Sequence, residues 1–72
     1  MRDKKIKFVE LGEKRVEKTI NMLRLIKNLA NRSHYEYDKE QVNKIIRALD
    51  VEMQELKSAF RSSLKKDKGF KL

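Results

Sequence analysis

Cysteine and proline are absent from this chain, tryptophan is absent too, and glycine occurs only twice. Each gap excludes something. Without cysteine there is no disulfide staple, and one histidine without cysteine cannot build a structural zinc site. Absence of proline, with glycine only at Gly12 and Gly69, favours long helices over strands. No apolar run approaches the roughly 20 residues needed to span a bilayer. No N-terminal apolar run of seven or more residues is present either, so a secretory signal is not expected and a cytoplasmic location is. A chain of 72 residues makes one domain at most. It buries only a little over half of its unfolded surface, so self-association or a partner is the expected route to stability.

What is present is charge, at 42% of residues with a net of +8. That composition favours long, solvated helices over strands, but it stands near the border of disorder, so periodicity has to decide. Over residues 8 to 30, Val9, Val16, Ile20, Leu23, Ile26 and Ala30 form one stripe at helical spacing. Leu11, Met22, Leu25 and Leu29 fall beside it, and the combined apolar arc covers more than half the circumference. An ordinary surface helix needs an arc of only about 100°. The first helix therefore carries more apolar surface than one neighbour covers.

Residues 39 to about 64 differ. Val42, Ile45, Ile46, Leu49, Met53, Leu56, Phe60 and Leu64 fall within about 100° of arc, one seam's width. Two long helices with a short link pack as an antiparallel hairpin. The pattern predicts an all-α fold: helix one over about 8–30, a connector over 31–38, helix two over about 39–64 and a basic tail over 65–72. The surplus face, Leu11, Met22, Leu25 and Leu29, predicts a homodimer in which two hairpins make a four-helix bundle.

The connector "NRSHYEYDKEQV" contains no glycine, and capping chemistry explains how it manages. Asp38 is a good N-cap, Gln41 completes a capping box, and Tyr37 with Val42 has the spacing of a hydrophobic staple. Glu40 in the first turn suits the helix dipole. Two readings stay open for Tyr35. It folds back over Leu25 or Leu29, or it faces a partner together with His34 and Arg32.

Charge has an address. Residues 1–7 carry Arg2, Lys4, Lys5 and Lys7 against Asp3, a net of +3. Residues 61–72 carry Arg61, Lys65, Lys66, Lys68 and Lys71 against Asp67, a net of +4, and the middle holds only +1. An antiparallel hairpin gathers both clusters at its open end. Such a patch attracts phosphates or an acidic protein surface, and nucleic acid is the commonest target of so basic a small protein. The bland alternative is a pair of solvating tails. A membrane-surface role, resting on Phe70 and Leu72 among the lysines, is the weaker reading. No helix-turn-helix, zinc-finger or ribonucleoprotein motif supports base-specific reading.

Little points to catalysis, to a metal or to a cofactor. Glu36, Asp38 and Glu40 alternate, but a calcium loop needs further oxygen ligands and a glycine turn. His34 has no second histidine or cysteine to work with, and Gly12 and Gly69 stand alone instead of forming a phosphate loop. "NRS" matches a glycosylation acceptor, a match without weight where no secretory signal is expected. Gly12 either allows close helix approach or marks the start of the helix proper. A non-enzymatic protein is expected.

The run "RLIKNLANRSHYEYDKEQVNKIIRAL", residues 24 to 49, resembles a group of short uncharacterised proteins from Gram-positive bacteria, often encoded on mobile or phage-like elements. The preceding "FVELGEKRVEKTINM" is similar as well, so the likeness covers roughly residues 8 to 60. "NRSHYEY" is its most distinctive block. The resemblance implies a bacterial cytoplasmic accessory protein with DNA-related work, and it carries no functional residue over. Together these features lead to a nucleic-acid-associated accessory protein. The alternative is an inhibitor or adaptor that binds a larger machine through the apolar stripe of helix one.

Overall fold

The computed structural model describes residues 2–65, and it contains two α-helices with no strand among them. Helix α1 spans Arg2–Asn28 and α2 spans Lys39–Lys65, 27 residues each. At 1.5 Å per residue each is about 40 Å long. The chain divides into two units, Met1–Glu36 and Tyr37–Leu72, and each is built around one helix.

Helix α1 begins at Arg2 instead of near residue 8. The segment "RDKKIKF" has almost no apolar pattern, yet its lysines and arginine are good helix formers and nothing in it breaks the backbone. Asp3 also places an acid in the first turn, where the helix dipole favours it. Gly12 does not interrupt the helix, and a Cβ built on it would meet nothing within 4 Å. It is therefore not the start of the helix proper.

The regular part of α1 ends at Asn28, two residues before the apolar pattern runs out. The chain then tightens. The amides of Leu29, Ala30 and Asn31 donate to the carbonyls of Ile26, Lys27 and Asn28 at 3.0, 3.0 and 3.4 Å. These i→i+3 bonds satisfy carbonyls that an α-helix leaves open at its end. Lys27 adds a favourable cation in the last turn.

None of the described side chains is buried. Large apolar residues along both helices are between 36% and 69% exposed, from Ile26 to Leu64. Neither unit contains a core of its own. Isolated helices gain little beyond their backbone propensity, because most helical stability in proteins comes from packing an amphipathic face.

Candidate association surfaces, connector and basic ends

Four residues of the surplus face lie along one line of the first unit. Met22 and Leu25 are three positions apart on α1, and Leu29 follows in the turn just after it. Leu11 precedes Met22 by eleven residues, close to three whole turns at 3.6 residues each. Their exposures are 39% for Leu11, 61% for Met22, 61% for Leu25 and 43% for Leu29. On α2 the apolar residues concentrate on one face more sharply than on α1. The second α1 stripe is exposed as well, with Val9 at 54% and Val16 at 57%.

The connector is held by Asn31. Its side-chain Oδ1 accepts from the Ser33 backbone amide at 3.0 Å and from the Ser33 hydroxyl at 2.6 Å. This is an Asx-turn, in which a short amide side chain imitates a backbone turn. The Asn31 carbonyl accepts from the amides of His34 and Tyr35, at 3.1 and 3.0 Å. The rings of His34 and Tyr35 meet edge-on, with centroids 6.4 Å apart and planes at 74°. No described residue has a positive φ, which explains how the turn forms without glycine. The Asn-x-Ser spacing that matches a glycosylation acceptor is thus the sequence signal of this turn.

Tyr37 opens the second unit, and α2 starts on a reciprocal pair. The Gln41 amide donates to Asp38 Oδ1 at 2.8 Å, while the Asp38 amide donates to Gln41 Oε1 at 2.9 Å. That is the geometry of a capping box, satisfying two amides that a helix start leaves open. The Val42 amide closes the first helical bond, onto the Asp38 carbonyl at 3.2 Å. Tyr37 and Val42 are the half-buried side chains among this unit's described residues, at the two positions a hydrophobic staple uses.

The basic residues sit at helix ends. Lys4, Lys5 and Lys7 follow Arg2 through the first two turns of α1, and their spacing spreads them around the helix as a collar. Arg61 and Lys65 belong to the last turns of α2, where a helix dipole favours cations. Lys66, Lys68 and Lys71 lie outside the described residues, as do Phe70 and Leu72. The N-terminal collar stands where the dipole disfavours cations. The helix propensity of these lysines works against that dipole term.

Among the described residues, no cluster of three or more His, Cys, Asp or Glu is placed to hold a metal ion. No described helix is long and apolar enough to cross a membrane. A shallow open depression on α1 is lined by Glu10, Leu11, Glu13, Lys14 and Glu17, a stretch of one helix's solvated surface rather than an enclosed site. No protein-family model, curated protein or solved structure matches the chain.

Proposed function

We propose that this chain is a non-enzymatic accessory protein that self-associates through its exposed apolar faces and holds nucleic acid with its basic ends. In this reading α1 and α2 close as an antiparallel hairpin, two hairpins form a four-helix bundle, and the basic ends of the two helices meet. The observation that carries the reading is the charge distribution. Seven of the eight net positive charges fall within residues 1–7 and 61–72. The placement of Arg2, Lys4 and Lys5 at a helix N-terminus supports it, since the dipole there adds to their attraction for anions. Binding of this kind is directed at the phosphate backbone and is insensitive to base sequence.

The test is a salt titration of duplex DNA binding with four proteins: wild type, each basic cluster neutralised alone, and both neutralised. Each single neutralisation weakens binding and lowers the salt slope by up to about 0.9 for every phosphate no longer engaged. The double variant nearly loses binding while its helicity is unchanged. Arg32→Ala and His34→Ala leave binding intact. Loss of binding in these two, with retention in the terminal variants, would move the working surface to the connector.

A second reading has its own observation. Met22 and Leu25 are both 61% exposed on α1, an apolar stripe suited to a groove on a larger protein. Absence of any DNA retardation at low salt favours this inhibitor or adaptor role, with the basic ends then facing an acidic protein surface.

A further inference from the structure

The apolar face of α2 has a stricter order than amphipathicity requires. Val42, Ile46, Leu49, Met53, Leu56, Phe60 and Ser63 follow one another at alternating spacings of four and three along the helix. The apolar residues Val42 to Phe60 hold a repeat of 3.5 residues for about two and a half heptads, with the polar Ser63 at the next place, and that is the period of a left-handed coiled coil. Ile46, Met53 and Phe60 take the a positions, and Val42, Leu49, Leu56 and Ser63 take the d positions. Ile46, Leu49, Met53 and Leu56 are between 38% and 52% exposed, so the middle of the seam is accessible.

We infer that this seam is covered by α2 of a second copy of the chain, aligned parallel and in register. Two features of the helix select that occupant. At the centre of the seam, Ile46 at a with Leu49 and Leu56 at d suits a two-stranded parallel pairing, while Met53 and Phe60 at a and Val42 and Ser63 at d favour no particular number of strands. The residues flanking the seam also complement themselves under that symmetry. In a parallel pair each g position faces the e position five residues further along the partner. Glu52 then faces Lys57 of the other copy, twice by symmetry, and Ala59 faces Leu64. Charge meets opposite charge there, and apolar flank meets apolar flank; Ile45 against Asp50, at the start of the seam, is the pair that gains nothing. An antiparallel pair sets Lys57 against Asp50 instead and leaves Glu52 without a cation.

The pairing has a consequence for the basic end. Parallel alignment places the C-terminal ends of the two α2 helices side by side, and the sequence gives residues 61–72 of each chain a net of +4. Their mutual repulsion opposes the dimer, and a polyanion lying across both relieves it. Dimerisation and polyanion binding are thereby linked, each strengthening the other.

The proposal rests on the self-association already proposed and adds a contact to it: in the four-helix bundle the α2 seam turns toward the bundle axis, where it meets α1 of its own chain on one flank and α2 of the other copy on the other. The absence of native cysteine makes a clean test in the full chain. Ser63→Cys places a thiol at a d position, and Ser58→Cys places one on the outer face of the same helix. Both variants, at tens of micromolar and without nucleic acid, are treated with oxidised glutathione, whose disulfide is reduced to two thiols as each crosslink forms. A disulfide needs Cα atoms within about 4.4–6.8 Å, which only parallel, in-register pairing supplies at position 63. Ser63→Cys should crosslink at least about tenfold faster than Ser58→Cys, as a high effective concentration dictates.

Charge exchange gives the second arm. Glu52→Lys should raise the dimer dissociation constant by about tenfold, since two attractive pairs become repulsive. Glu52→Lys with Lys57→Glu should restore it. In the antiparallel arrangement the double change sets two acids against each other, at positions 50 and 57, and restores nothing. Equal crosslinking at positions 58 and 63, or a double variant no better than the single one, overturns the proposal. A chain that binds DNA but fails these tests loses only the pairing. One that passes them but ignores DNA loses only the nucleic-acid reading.

Discussion

The two helices have the same length and carry apolar residues in different arrangements. Helix α1 spreads them over more than half its circumference, with Gly12 among them. Helix α2 confines them to one seam and starts on the Asp38–Gln41 pair, with bonds of 2.8 and 2.9 Å. A broad arc serves several neighbours in several geometries, while a narrow seam restricts the geometry of whatever it meets. Under the proposed association, the difference assigns defined partner geometry to α2 and adaptable apolar surface to α1. Both depend on covering, because no described side chain is buried.

The comparison is broken most severely by charge in the seam. Leu56→Glu leaves α2 no alternative face, so association and most helicity should be lost together, as burial of an unpaired charge is expensive. Circular dichroism with sedimentation checks this. Met22→Glu with Leu25→Glu on α1 should abolish the larger assembly while retaining more helix than Leu56→Glu, since the other half of the α1 arc survives. If the α1 pair proves the more damaging, the assignment of specificity to α2 is wrong.

Smaller effects sharpen the contrast. Asp38→Ala removes the acceptor for the Gln41 amide and should cost about 0.5–2 kcal/mol, read as a lower urea midpoint. An unchanged midpoint would mean that the cap contributes nothing to stability. Gly12→Ala should stabilise α1 by about 0.5–1 kcal/mol, because a Cβ there meets nothing and helix propensity improves. A weaker assembly in that variant would show that a partner backbone approaches α1 at Gly12.

The helical class was legible from periodicity, since no strand pattern competes with it over residues 8–30 or 39–64. The start of α2 was legible from "YDKEQV", where cap, box and staple positions coincide. The first six residues of α1 escaped because apolar patterning is silent on a segment whose helix is carried by lysine and arginine propensity. The turn at Asn31 escaped for a different reason: its geometry depends on a side chain bonding to the backbone two residues on, which leaves no periodic trace. The site was legible only as surfaces. Composition locates charge and apolar area, but a partner's identity is not written in either.

The central claim is that this chain acquires its core by association. Sedimentation equilibrium and mean residue ellipticity, measured on the same samples from low to high micromolar, test it most directly. The account predicts that mass and helicity rise together with concentration, because covering the apolar faces is what stabilises the helices. A monomer of unchanging mass, with full and cooperatively lost helicity at every concentration, would contradict it.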